Sequence, residues 1–409
     1  MLTINITKES FIMIKTVVQK YGGTSVNTPE RRNHIVLNAQ DAINDGLRPV
    51  VVVSAMGRYP EPYATDSLLS LLPFGDTDPR NKDLLVSCGE ILTTVIVAEE
   101  LSNAGMRALA LTGGQAGIIT DDNFGEGNID HINTEYILSL VEQGIIPVVA
   151  GFQGVSKTNQ ITTLGRGGSD ITATALGAAL NSTCIEIYTD VDGVMTADPN
   201  VVDSAELLDE INYNDVFQLA SLGAKVIHPR AVQFAKDAAV DVSVINVNKG
   251  RKGRSTLITG NTLMSVEDKM FNAVTSLSGC SQVEVPFTSL QADSEMFAAL
   301  TDNDISIDMI NIFPDRKNFI ISDKDAKIFA NVMDQLELEY KLQSGYTKIT
   351  ILGNKICGVP GVMAKIITVL YANNIMVYQS SDSNRTIAVL VKTEVATDAV
   401  KVLHKELIN

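Results

Sequence analysis

Six short aliphatic and β-branched runs alternate with six helical patterns over the first 250 residues, and that alternation restricts the chain to few folds. The runs fall at 15–19, 50–54, 108–111, 145–150, 185–188 and 242–247. The helical patterns lie near 30–45, 81–103, 134–143, 170–180, 212–219 and 231–239. Strands that are apolar nearly throughout, separated by helices, predict an α/β fold with a mainly parallel sheet covered by helices on both faces. Ligands in such sheets sit at the carboxyl ends of the strands, so polar residues and glycines at those ends are the candidates for chemistry.

The densest candidate is 161–180, ITTLGRGGSDITATALGAAL. A β-branched run meets Gly165-Arg166-Gly167-Gly168, then Ser169-Asp170 and an Ala/Leu-rich helix. Glycines let backbone N–H groups approach a ligand closely, and a helix N-terminus favours phosphate. A tight turn, with Ser169 or Asp170 capping the helix, would look the same. A second candidate is Lys20-Tyr21-Gly22-Gly23-Thr24-Ser25. Lys20 precedes its glycines, unlike the Walker arrangement, yet a strand-end lysine can still reach bridging phosphate oxygens as a point charge. Asp170 would repel a bound phosphate unless it holds a cation. The economical arrangement has Asp170 orienting Lys20 toward the charge that develops in phosphoryl transfer.

A chain of 409 residues predicts two or three domains, and its 45% hydrophobic content can fill their cores. A formal charge of −16 argues against nucleic acid or an anionic membrane as partner. Cys88, Cys184, Cys280 and Cys357 show no metal-ligand spacing and read as reduced thiols. With no apolar run of membrane-spanning length and no leader pattern, the expectation is a soluble, cytoplasmic protein. His34, His131, His228 and His404 share no spacing and read as surface or packing residues.

The basic stretch 249–254, KGRKGR, reads as a boundary. Beyond it, NDISID at 303–308 and NNIMVY at 373–378 suggest a weak repeat of about 70 residues. In 185–200, Thr189, Asp190 and Asp198 could meet a ribose, a base or hydrated Mg²⁺, although such Asp/Gly loops are also plain turns. Lys225 is a further cation, or a solvated one. Arg166 could clamp a carboxylate bidentately. Glu90, read as the start of a helical face, could receive an ammonium group or complement the helix dipole. Ser54 and Thr65 could add hydrogen bonds.

Together these stretches resemble the aspartate kinases (aspartokinases) of the amino-acid-kinase fold. The motifs are VQKYGGTSV (18–26), VVVSAMGR (51–58), VSCGE (86–90), TTLGRGGSD (162–170), YTDVDGVMTADP (188–199) and GAKVIHPRAV (223–232). VPGVMAKI (359–366) and SSDSNRTIAVLV (380–391) resemble the paired ferredoxin-like ACT modules that follow the kinase domain in that family. The context at 56–69 is most similar to the diaminopimelate-sensitive branch of Gram-positive bacteria. The resemblance implies phosphorylation of the L-aspartate side-chain carboxylate by ATP with Mg²⁺; no protein side chain is assigned to a metal. It implies Lys20 and Asp170 at the phosphoryl group, and Arg166, Glu90, Ser54 and Thr65 around aspartate. It lines the ATP site with Lys20, Gly22, Gly23, Gly167, Gly168, Ser169, Thr189, Asp190, Met195, Asp198 and Lys225. An ionised carboxylate nucleophile requires no general base, so positioning and electrostatics can carry the reaction.

The implied organisation is an extension (1–12), a kinase domain (13–262), a first ACT module (279–343) inserted within a second (270–278 plus 344–409), and a homodimer through the modules. Lysine, threonine or diaminopimelate would be the effector, with Asp308 at a position that meets an effector in relatives. Three departures stand out. Asn200 replaces the usual Arg, Met195 replaces an aromatic residue, and 283–289 lacks the glycine turn that opens an effector pocket. Rival readings are a kinase of glutamate, acetylglutamate or UMP, a non-catalytic amino-acid sensor, and a Rossmann dehydrogenase. VSCGE and the ACT-like tail oppose the first. Retention of Lys20 and Asp170 opposes the second, and the lack of a ribose-reading acid beyond the glycine turn opposes the third.

Overall fold

The computed structural model describes residues 14–72, 77–221, 227–260, 270–354, 356 and 358–408. The expected extension over 1–12, Lys225 and Cys357 lie outside the described residues. The chain divides into two compact units. The first comprises Met1–Val194, Asp209–Phe217 and Val226–Asn261, and the second Met195–Leu208, Gln218–Lys225 and Thr262–Asn409.

The first unit is built on an eight-stranded sheet ordered Glu210–Asn212, Ser255–Thr259, Val242–Asn246, Cys184–Thr189, Thr16–Tyr21, Arg48–Val53, Ile146–Ala150, Ala108–Leu111. Neighbours run parallel throughout except Val242–Asn246 against Ser255–Thr259. Thr16–Tyr21 is central, and the chain moves away from it first on one side, through Arg48–Val53, and later on the other, through Cys184–Thr189. That reversal opens a crevice at the carboxyl ends of these strands. Side chains alternate across the sheet. Tyr21, Val51 and Val53 bury against Ile35 and Ala39 of Pro29–Asn44 and Val97 and Leu101 of Pro79–Asn103. On the other face, helix Gly168–Ala179 packs on Thr16–Tyr21, bringing Gly177 close to Val18. Lys20, two residues from Val18, belongs to that same face.

The run Ile161–Thr163 is a strand of a separate four-stranded sheet ordered Ile129–Ile132, Ile118–Thr120, Gln153–Ser156, Ile161–Thr163. One expectation needs correction. The basic stretch 249–254 is a strap rather than a boundary, because its cations pair with acids of the first unit. Arg251 meets Glu186 and Asp45, Lys252 meets Asp41, Lys249 meets Asp192 and Arg254 meets Asp209. The chain then adds a further strand, Ser255–Thr259, to the main sheet.

The second unit holds a six-stranded antiparallel sheet ordered Asp308–Ile312, Arg316–Ser322, Phe271–Pro286, Lys341–Gly353, Thr386–Lys392, Gln379–Asp382. Its long central pair shifts register between Ser278 and Cys280, around Gly279 at φ +75°. Two of this unit's cores flank the sheet's helices. One gathers Val283, Met296, Phe319 and Phe329, and the other Ile349, Ile366, Leu370, Val389 and Leu403. Ala197 and Val202 of Met195–Leu208 are buried in the second core. Thr196 fastens that segment: its carbonyl accepts from Val274 N–H at 2.8 Å, and its hydroxyl lies 2.8 Å from Nε2 of the buried His404.

Candidate active site

Tyr21, Val53 and Tyr188 stand level in neighbouring strands, so the loops that follow them leave the sheet together. Backbone bonds knit these loops closely. Ser54 N–H donates to Tyr21 O at 3.1 Å, Gly57 N–H to Gly23 O at 3.0 Å, and Gly151 N–H to Val53 O at 2.9 Å. A Cβ on Gly23 would lie 2.6 Å from Ala55 O and 2.7 Å from Gly57 O, so only glycine allows this approach. Gly22 lies under the Lys20 amine, whose Nζ is 3.7 Å from where a Gly22 Cβ would be.

The glycine turn enters from the other side. Gly165 and Gly167 both take φ +73°, a region L side chains rarely adopt. Gly167 occupies the N-cap position of Gly168–Ala179, and no side chain caps that helix. The alternative in which Ser169 or Asp170 caps the helix does not hold, since both lie inside the first turn. Ser169 is buried and packs against Gly151, while Asp170 points at Lys20. The Lys20 Nζ–Asp170 Oδ1 ion pair is 2.6 Å long, with side chains 13% and 15% exposed. Burying two charges repays little stability, so such a pair is better explained by positioning than by folding.

Glu90 is a correction of another kind. It does not start a helix but lies well inside Pro79–Asn103, 2% exposed. Ala55 N–H donates to its Oε1 at 3.0 Å, whereas its Oε2 has no partner. Burial pushes the carboxyl up from 4.5 to about 8, against the lowering pull of the Ala55 N–H bond. A buried acid with one idle oxygen is a receptor for a donor, and a cationic one suits it best. Gly89 makes room for the helix here, since a Cβ would sit 2.7 Å from the Ala55 Cβ. Ser54, beside Ala55, and Thr65, the first residue of Thr65–Leu69, are half-buried. Arg166 is exposed and forms no side-chain hydrogen bond or ion pair among the described residues.

Thr189 ends the strand Cys184–Thr189 and Asp190 follows it, with the Thr189 hydroxyl 3.3 Å from Asp190 Oδ1. Met195 and Asp198 belong to the second unit. There Asn200 turns back onto Asp198, donating from its backbone at 2.9 Å and its side chain at 3.0 Å to the same oxygen. Asp308, also in the second unit, pairs with the buried Lys348 at 2.5 Å.

The structure adds residues that the sequence left unassigned. His228, read as surface or packing, caps Pro229–Asp237 and presses on the glycine turn, where a Gly167 Cβ would fall 2.3 Å from its Cγ. Burial lowers its pKa and nearby Asp170 opposes this. Arg230 donates to Leu164 O at 3.0 Å, bracing the turn from outside. Their motif, GAKVIHPRAV, was visible, but nothing in it showed which residue would face Gly167. Among the described residues no cluster of His, Cys, Asp or Glu could hold a metal ion, and no helix is long and apolar enough to cross a membrane.

The geometry thus offers a lysine–aspartate pair beside a helix N-terminus and a buried acid with a vacant acceptor. Known proteins share this frame. The sequence model of the amino acid kinase family matches residues 15–246, and that of the ACT domain matches 341–405. Aspartokinase 1 of Bacillus subtilis (strain 168) is 39% identical over 401 residues, spanning 96% of this chain and 98% of that protein. The aspartokinase of Geobacillus stearothermophilus is 36% identical over 399 residues, spanning 95% and 96%. The crystal structure of E. coli aspartokinase III in complex with aspartate and ADP superimposes with a TM-score of 0.79 at 25% identity, covering 97% of this chain and 100% of that one. Its complex with lysine and aspartate gives 0.76 at 26% identity, covering 96% and 100%. By sequence and by fold, the chain belongs to the amino acid kinase family and, within it, to the aspartokinases.

Proposed function

We propose that the chain transfers the γ-phosphoryl group of ATP to the side-chain carboxylate of L-aspartate, giving 4-phospho-L-aspartate, the entry step to lysine, threonine, methionine and diaminopimelate. The observation that carries this reading is the Lys20–Asp170 pair at 2.6 Å beside the N-terminus of Gly168–Ala179. Lys20 supplies positive charge where the transferring group gathers negative charge, and Asp170 keeps that amine from wandering. The aspartate β-carboxylate is already ionised at neutral pH and attacks phosphorus directly, forming the acyl–phosphate bond as the bond to ADP breaks. No proton moves, so no base is needed.

Glu90 Oε2 takes the α-ammonium group of aspartate, and Arg166 takes the α-carboxylate, with Ser54 and Thr65 as further hydrogen-bonding groups. Gly22, Gly23, Gly167, Gly168 and Ser169 present backbone to the phosphates, and Thr189 and Asp190 serve the rest of the nucleotide. Mg²⁺ bound with ATP would supply neutralisation of phosphate charge.

The C-terminal sheet serves regulation, divided into modules at 279–343 and 270–278 plus 344–409. Its edge strand Asp308–Ile312 leaves Ile310 39% and Ile312 68% exposed, which favours pairing with a second copy. The lysine complex of E. coli aspartokinase III favours an amino-acid effector, with lysine, threonine and diaminopimelate as candidates. Asp308 would have to release Lys348 to meet it.

The test is a coupled assay of ADP release with aspartate, glutamate and UMP offered in turn. The reading requires aspartate to be preferred. Equal or greater turnover of another acceptor overturns it. Thermal-shift screening with the pathway end products then names the effector by the rise in melting temperature it causes.

A further inference from the structure

Asp83 takes no part in the chemistry above, yet it is 1% exposed and fully engaged. Its Oδ2 accepts from Thr163 N–H at 2.8 Å and Gly125 N–H at 2.9 Å, and its Oδ1 accepts from the Thr163 hydroxyl at 2.8 Å. No cation pairs with it among the described residues, so neutral donors alone repay its burial. Such an arrangement fixes geometry tightly, because losing one donor leaves a buried lone pair unmet.

What the joint connects gives it meaning. Asp83 lies on Pro79–Asn103 seven residues before Glu90, about two helical turns, so both project from one side of the helix. Thr163 ends the strand Ile161–Thr163, three residues before Arg166. Around it the strand is pinned, with Gly127 N–H donating to Thr163 O at 2.7 Å and Leu164 N–H to Phe152 O at 2.9 Å. A second tie runs from Gln153 Nε2 to Ser87 O at 3.0 Å, joining the same helix to the adjacent strand of the small sheet.

We propose that Asp83 is a positioning residue that sets the separation of Glu90 and Arg166, and through it the preference for aspartate over its longer homologue glutamate. The inference rests on Glu90 and Arg166 holding the two α-groups of the substrate. With those groups fixed, side-chain length decides whether the distal carboxylate reaches the phosphoryl group, so a loosened clamp forfeits affinity and discrimination together.

Steady-state kinetics on Asp83→Asn, Thr163→Val and Thr163→Ser test it. Asp83→Asn is expected to raise KM for aspartate about tenfold, leave KM for ATP within about twofold, and lower the aspartate-to-glutamate ratio of kcat/KM. Thr163→Val loses one of the three bonds and moves the same quantities less, while Thr163→Ser keeps the hydroxyl and stays near wild type. Should Asp83→Asn fail to fold, the Val/Ser pair at 163 decides. Unchanged aspartate KM and discrimination in a folded variant, or equal rises in both KM values, overturns the inference. Glu90→Gln and Arg166→Ala separate the two claims. If these leave KM for aspartate unchanged, the substrate assignment itself fails. If they raise it and the 83 and 163 variants do not, only the positioning role falls.

Discussion

At one end of the site Lys20 and Asp170 face each other at 2.6 Å. At the other end Glu90 is buried with one oxygen on the Ala55 N–H and the other on nothing. Both are carboxylates borne on helices of the same unit, one ion-paired and the other with an oxygen left without a partner. The paired end is preorganised: its amine is held in place at no further cost when charge builds on a phosphoryl group. The unpaired end is a buried acid whose second oxygen is open to a donor, and a ligand that brings a cation meets it. One end is therefore built to act on a transition state, the other to select a ground-state ligand.

Variants at each end should separate these roles. Lys20→Ala is expected to have the largest effect, a loss of about 10²–10³-fold in kcat with KM for aspartate little changed. Glu90→Gln should do the reverse, raising KM for aspartate on the order of 10²-fold while kcat at saturation stays within a few-fold. A kcat loss in both with no KM change in either would erase the contrast.

Protonation sharpens it. Glu90 in the ligand-free protein holds its proton to about pH 8, whereas the unfolded chain releases it near 4.5. Between those values the folded state binds more protons, so ligand-free stability falls as pH rises through the window and levels off above it. Melting curves should show that decline in the wild type and lose this contribution in Glu90→Gln, which should melt higher than wild type at pH 8. Calorimetry at pH 7 in buffers of different ionisation enthalpy should find about one proton released when aspartate binds. Lys20→Ala should leave that release intact.

Two smaller effects bound the account. Gly167→Ala places a Cβ 2.3 Å from His228 Cγ at φ +73°, and should cost about 1–3 kcal/mol in denaturant titration as well as activity. Lys252→Ala removes a lysine that is also ion-paired, with Asp41 at 2.9 Å, but is 71% exposed. It should leave melting temperature and kcat near wild type, showing that pairing without burial in the site does nothing.

Much of this was legible before any coordinates. Residues 50–53 form a buried strand because four successive valines suit a parallel sheet covered on both faces, and that pattern has no good helical reading. Gly167 could be suspected because left-handed turns select glycine. Glu90 was legible as a candidate but not as a buried one, since burial of a charge is decided by what packs over it. Asp83 was silent for the same reason: an acid near a helix start looks solvated until Thr163 is folded onto it. The small sheet escaped notice because strands of three and four residues, such as Ile118–Thr120 and Gln153–Ser156, are too short to show alternation. Nor does sequence order reveal that Ala197, just past the strand Cys184–Thr189, is buried with Leu403 and Val400. Likewise Lys317, 1% exposed and paired with Asp293, occupies a core position that a hydropathy pattern would assign to an aliphatic residue.

The most direct test of the account is a double-mutant cycle on kcat with Lys20→Ala, Asp170→Asn and the two combined. If Asp170 acts by holding the Lys20 amine, the double variant is no slower than Lys20→Ala alone, because the carboxylate has nothing left to orient. Losses that multiply, or a Lys20→Ala enzyme turning over at the wild-type rate, would contradict it.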